Sequence, residues 1–142
     1  MILYLDTSAL AKLYFAENGS ETVRRAVIAN QNATSTIAYV ETRSALSRKL
    51  RMREINDDTF RRHKLEFERD WEYLTKVAFE AVIWDRAAQL VEHFPLKAYD
   101  AVHLASAELI RRTGASSVTF ACFDATLCRA AASLGFGLLP DS

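Results

Sequence analysis

The first five residues, MILYL, form an unbroken apolar run that stops on Asp6. A strand buried on both faces of a parallel sheet has this pattern, because neither face needs polar residues. Ser8 is placed to cap a helix running to about Phe15, and Asn18, Gly19 and Ser20 break it. From Glu21 to about Asn30 a second helix is expected, with Val23, Ala26 and Val27 on one face. Ala33 to Ile37 reads as a short strand. The segment from Tyr39 to about Met52 then spaces Val40, Leu46 and Leu50 among charges, as an amphipathic helix does. Asn56, Asp57 and Asp58 open another helix, which carries Phe60, Leu65, Phe67 and Trp71 to about Tyr73. A third strand is expected over Leu74 to Phe79. Asp85 is placed to cap a helix that ends near Phe94 and Pro95. Ala98 to Arg112 is helical up to Thr113 and Gly114, Ser117 to Ala121 is a fourth strand, Asp124 to Leu134 is a helix, and Phe136 to Leu139 is a last strand. Short strands alternating with helices predict an α/β fold, a parallel sheet covered on both faces, as one domain over residues 1–142.

Composition narrows the class without naming a function. Half of the 142 residues are apolar, ample for a single core. No apolar stretch is long enough to span a membrane, and Asp6 comes too early for a signal peptide, so a cytoplasmic protein is expected. Cys122 and Cys128 do not form a CxxC pair and are expected to be reduced thiols packed in the last third of the chain. The formal net charge is zero, so no global field points to nucleic acid. Locally, Arg43, Arg48, Lys49, Arg51, Arg53, Arg61, Arg62 and Lys64 face only Glu54, Asp57 and Asp58. Such a run is most simply the solvated face of a helical hairpin; its alternative use is phosphate contact.

Four acids recur at comparable places. Asp6 ends the first strand, Glu41 lies in the first turn of the helix after the second, Asp100 opens the helix of KAYDAVHLASA (97–107), and Asp124 follows the fourth strand. Any one of them alone is a good helix-terminal acid, capping amides and complementing the dipole. Four at one edge of a parallel sheet are harder to explain that way, because packed carboxylates repel and raise one another's pKa. No obvious buried Lys or Arg serves each one, and a divalent cation would offset the repulsion. All-oxygen donors suit magnesium or manganese, which support phosphoryl chemistry. The residues themselves lead to metal-dependent phosphoryl chemistry and do not name RNA.

LYLDTSAL (3–10), STIAYVETRSALSRKL (35–50), LKAYDAVHLASAEL (96–109) and TFACFDATLCRAA (119–131) resemble, in order and spacing, the successive motifs of PIN-domain ribonucleases, with VapC-type toxins of toxin–antitoxin pairs the nearest match. The resemblance spans essentially the whole chain. It implies a three-layer α/β/α fold around about five parallel strands, and an endoribonuclease using magnesium or manganese. It assigns metal-ligand and catalytic roles to Asp6, Glu41, Asp100 and Asp124, the last being the more variable position in the family, and a supporting hydroxyl to Ser8. It also implies an antitoxin partner that covers the site, for which the Tyr39–Tyr73 hairpin is the expected wall, and a homodimer, common in the family. Cys122 departs from the Thr or Ser usual two residues before the fourth acid, and a thiol is the weaker donor, which bears on how Asp124 is held.

Other residues carry less. His103, three positions after Asp100 on the same helix face, reads first as a partly buried structural histidine and second as a donor to a phosphate or an acid. His63 and His93 are isolated, which argues against zinc; Trp71 and Trp84 read as core or interface; Lys97 is placed to meet a phosphate. No His is placed to make Ser8 a nucleophile. Two competing classes remain: a catalytically weak module that binds RNA or antitoxin, and a phosphoryl-accepting signalling domain. The second wants a tight acidic pair after the first strand and a Lys near the last, and neither is present.

Overall fold

The computed structural model describes residues 1–114 and 117–141. Strands β1 (Ile2–Leu5), β2 (Gln31–Ser35), β3 (Thr75–Val77), β4 (Val118–Ala121) and β5 (Gly137–Leu139) form one parallel sheet in the order β3-β2-β1-β4-β5. Parallel neighbours need crossover connections, and helices supply them: α1 (Thr7–Ala11), α2 (Ser20–Ala29), α3 (Ile37–Arg51), α4 (Asp57–Trp71), α5 (Ala81–His93), α6 (Ala98–Thr113) and α7 (Ala125–Ser133). None of the described helices is long and apolar enough to cross a membrane.

The central strand explains the layers. Successive side chains of a strand point to opposite faces. Tyr4 packs on one side with Ile83, Leu90, Leu104, Phe120 and Leu127, drawn from α5, α6, β4 and α7. Leu3 and Leu5 pack on the other with Leu10, Val23, Ala38 and Phe67, drawn from α1 to α4. Leu3, Tyr4 and Leu5 are each no more than 1% exposed, which is why the run shows no polar alternation. The result is the expected three-layer α/β/α fold around a five-stranded parallel sheet.

Local differences from the sequence reading have identifiable causes. Asp6, not Ser8, is the N-cap of α1: its carboxylate accepts from the Ala9 amide, and the helix starts one residue earlier than Ser8. The regular helix stops at Ala11, and the chain continues to Tyr14 through tighter bonds from the Leu13 and Tyr14 amides to the carbonyls of Leu10 and Ala11. Asp85 does not cap α5, which begins after Glu80, because the buried stripe Ile83, Ala87 and Leu90 extends the helix backwards. Cys122 and Cys128 are not separate thiols: their sulfurs are joined, with the Cα atoms 6.3 Å apart, because α7 turns back over the end of β4.

The helical hairpin also differs. Most of its aromatics turn inward, and Tyr73 stays exposed: Phe67 is fully buried, with the rings of Tyr14, Tyr39 and Trp71 each centred 5.7 Å from its own. Four of the eight residues of its basic run are paired, with Arg43 on Glu68, Lys49 near Glu17 and Glu54, Arg61 on Asp58 and Arg62 near Glu66. The hairpin's α4 walls an apolar groove together with α1 and α2. It holds about 340 Å³ and is lined by Leu10, Leu13, Val27, Ile28, Asp70 and Tyr73 among others.

Candidate active site

Strands β2 and β3 are added on one side of β1, and β4 and β5 on the other. Open α/β sheets bind ligands beyond the carboxyl ends of their strands, where the order reverses in this way. Asp6 is the first residue past β1, and Asp124 lies in the loop between β4 and α7. Asp100 sits in the first turn of α6, the helix that feeds β4. These three acids line one cavity of about 180 Å³, together with Thr7, Ser8, Lys97, Tyr99 and His103.

Each acid is held differently. Asp6 is 3% exposed, and its Oδ1 accepts from the Ala9 amide at 2.8 Å and the Ser8 hydroxyl at 2.7 Å. Burial pushes its carboxyl above the usual range, while His103 and these two donors pull it back. The Ser8 hydroxyl oxygen in turn accepts from the Phe123 amide at 3.3 Å, so one side chain ties the loop after β1 to the loop after β4. Asp124 is exposed and caps α7, its Oδ2 accepting from the Leu127 amide at 2.9 Å. Cys122 faces the core beneath and leaves Asp124 to that cap, so the missing hydroxyl is not what orients the acid. Asp100 is buried, and among the described residues its carboxylate has no hydrogen bond or ion pair. Burial first, then the charges of Asp6 and Asp124, raise it to about 6.

Glu41 stands apart from that trio. It lines an adjoining cavity of about 530 Å³ with Val40 and Arg48, and Thr7, Ser8 and Tyr99 form the shared wall. Its Oε1 accepts from the Thr7 hydroxyl at 2.6 Å and is 3.1 Å from His103 Nε2. The structure therefore brings Asp6, Asp100 and Asp124 to one cavity and sets Glu41 behind Thr7.

Thr7, Tyr4 and His103 are the residues the sequence reading missed or set aside. His103 is 1% exposed, and both ring nitrogens are engaged: Nδ1 lies 2.8 Å from the Tyr4 hydroxyl, and Nε2 lies 3.0 Å from Thr7 Oγ1. The spacing of three from Asp100 was the visible signal for His103. Nothing local marks Thr7 or Tyr4, because their partners lie on distant segments.

The donor set fits a hard divalent cation in kind. Its oxygens are carboxylate oxygens, and Asp100 is buried beside Asp6 and Asp124 without a hydrogen bond or ion pair among the described residues. Among the described residues, no three His, Cys, Asp or Glu side chains converge closely enough to hold one ion. Magnesium is commonly held by only one or two carboxylates, with waters and substrate phosphate completing its shell, so a pair of these acids suffices for it.

The family model for the PIN domain matches residues 3–132. The chain belongs to the PIN-domain family. It is 29% identical over 140 residues, 98% of this chain and 95% of the relative, to Ribonuclease VapC45 of Mycobacterium tuberculosis. Among solved structures, the sarcin-ricin loop cleaving toxin VapC20 of Mycobacterium tuberculosis superposes with a TM-score of 0.65 at 20% identity, covering 94% of this chain and 95% of that one. FitAcB from Neisseria gonorrhoeae superposes with a TM-score of 0.67 at 18% identity, covering 97% and 96%. At these identities the superpositions show a shared fold.

Proposed function

We propose that this PIN domain is the toxin of a toxin–antitoxin pair and acts in the cytoplasm as a magnesium- or manganese-dependent endoribonuclease. The observation that carries the reading is the acid pocket at the switch point, where Asp100 is buried beside Asp6 and Asp124 without a hydrogen bond or ion pair among the described residues. A pair among Asp6, Asp100 and Asp124 would hold the cation, with Glu41 contributing from behind Thr7. The cation, when bound, supplies Lewis-acid activation of water and neutralises charge on the phosphodiester. The chain's own residues do the rest. Ser8 fixes Asp6 and the loop before Asp124 in one geometry. Lys97 at the acid pocket and Arg48 in the adjoining cavity offer positive charge to phosphates on either side of the cleaved bond. An antitoxin segment would lie in the apolar groove between α4 and the pair α1 and α2, where Asp70 and Glu66 favour a basic side chain at its rim.

A second reading has its own observation. Because no three acids among the described residues converge closely enough to hold one ion, the arrangement as it stands favours a PIN module that binds RNA or antitoxin with little turnover over a preassembled metal centre. One experiment separates the two. Purified, antitoxin-free protein is incubated with total cellular RNA in magnesium, manganese or chelator, beside Asp6→Asn. Discrete fragments that need metal and vanish in the variant establish the nuclease. RNA retained on the folded protein but uncut in every condition establishes the binding module.

A further inference from the structure

Beside the acid pocket, the adjoining cavity of about 530 Å³ is of a size that takes a small ligand. Successive turns of α3 line it: Val40 and Glu41, then Ser44 and Ala45, then Arg48. Residues three and four apart share a helix face, so these side chains form one wall. The small middle pair leaves room between Glu41 and Arg48, which lie about 10 Å apart along the axis. Tyr99, in the first turn of α6, lines both this cavity and the acid pocket. The fold does not use the apolar surface here, since Val40 is 70% exposed and Tyr99 44% exposed. Nor does it use the positive charge. Arg43 and Lys49 of α3 reach Glu68 and Glu17, whereas exposed Arg48 has no ion pair among the described residues. Glu41, the acid of this cavity, accepts from Thr7 and is not paired with Arg48. In the acid pocket, Lys97 Nζ lies 5.9 Å from the centre of the Tyr99 ring. Tyr99 is therefore an exposed aromatic ring with a cation in each of the two cavities it lines.

We propose that the cavity between α3 and the start of α6 is a nucleotide subsite: a base of single-stranded RNA, next to the bond cut in the acid pocket, stacks on Tyr99 against Val40, and Arg48 holds the phosphate beyond it. Proteins that grip single strands combine cations along the backbone with aromatic rings on which unstacked bases lie, and both parts are present here. The Glu41 carboxylate repels phosphate at its own end of the cavity and so directs it to Arg48. The proposal rests on the nuclease reading for the place of the cleaved bond, and adds the residues that seat the neighbouring nucleotide. Stacking accepts every base, so Tyr99 sets the grip on RNA and not the sequence preference.

The test uses the purified chain and a short, fluorescein-labelled single-stranded RNA of mixed sequence that carries 4-thiouridine. Binding is followed in chelator by fluorescence anisotropy over a range of salt, with folding of each variant checked by thermal melting. Tyr99→Phe keeps the ring and is expected to bind within about 2-fold of wild type. Tyr99→Ala is expected to bind about 5-fold or more weakly, with its salt dependence unchanged. Arg48→Gln is expected to weaken binding and to lower the salt slope by about 1. Irradiation should then crosslink the thiouridine to the peptide that holds Tyr99 or the one that holds Val40, located by mass spectrometry. Wild-type affinity in Tyr99→Ala, equal loss in Tyr99→Phe and Tyr99→Ala, crosslinks confined to other surfaces, or no binding by wild type overturns the subsite. Cleavage in magnesium, measured separately, keeps the two readings apart. RNA cut equally well by wild type and Tyr99→Ala overturns the subsite alone. RNA that crosslinks at Tyr99 and is cut with no metal overturns the nuclease reading and supports the subsite.

Discussion

Asp100→Asn is expected to make the folded protein more stable while removing its activity. Asp100 is 8% exposed, and its carboxyl is raised from 3.8 to about 6 by burial and by the charges of Asp6 and Asp124. At 1.36 kcal/mol per decade this corresponds to about 3 kcal/mol of ionisation cost in the folded state. Solvent entering the open pocket screens part of that, leaving about 1–2 kcal/mol. Asparagine keeps the shape and carries no charge, so at pH 7.5 the variant should melt higher by about 3–8 °C. The sign reverses the usual behaviour of an acid. Between about pH 4 and pH 6 the folded state holds the proton more tightly than the unfolded chain, so wild-type stability from this group is regained on acidification and is lost as pH rises through about 6. The gap between variant and wild type should therefore close toward pH 4. Urea unfolding at pH 7.5 and pH 4.5, read by circular dichroism, measures both numbers. Magnesium should raise the melting temperature of wild type and leave that of the variant nearly unchanged. A variant less stable than wild type at pH 7.5, or a gap that does not depend on pH, would refute the reasoning.

Other perturbations probe the frame around the site. Phe67→Ala removes a fully buried ring packed among Tyr14, Tyr39 and Trp71, and should cost about 3–5 kcal/mol in urea unfolding. Gly19 has φ +92°, and a Cβ there would meet the Phe123 ring at 2.5 Å. Gly19→Ala should therefore cost more than about 1 kcal/mol, and, by pushing Phe123, should also disturb Asp124 and lower activity. Arg86 pairs with both oxygens of Glu108 at 2.7 and 3.0 Å on a partly exposed surface, so Arg86→Ala should cost no more than about 1 kcal/mol, measured by the same unfolding curves.

The sheet and its acids were legible because their signals are local. MILYL declares a doubly buried strand, and Asp6 and Asp124 at strand-to-helix junctions declare an edge, whereas Glu41 lies beyond the first turn of α3, which starts at Ile37. What was not legible depends on distance in space. Asp6 and Ser8 are equally good caps on paper, and only the bonds that the Ala9 amide and the Ser8 hydroxyl give to Asp6 show that Asp6 caps and Ser8 supports. Glu41 looked equivalent to the other three acids, yet Thr7 stands between it and their cavity. His103 could be placed on the face of Asp100, but its partner Tyr4 lies 99 residues away. The pairing of Cys122 with Cys128 required knowing that α7 folds back on β4. Of the hairpin aromatics read as a wall for a partner, Tyr39, Phe67 and Trp71 pack into the core that α1, α3 and α4 share, while Tyr73 is exposed at the groove.

The claim at the centre of this account is that the acids at the switch point hold a divalent cation. Anomalous scattering from crystals grown with manganese measures this directly. A peak between Asp6 and Asp100, absent in Asp100→Asn crystals, is the expected result. Manganese that binds nowhere near these carboxylates, in protein that still cleaves RNA, would contradict it.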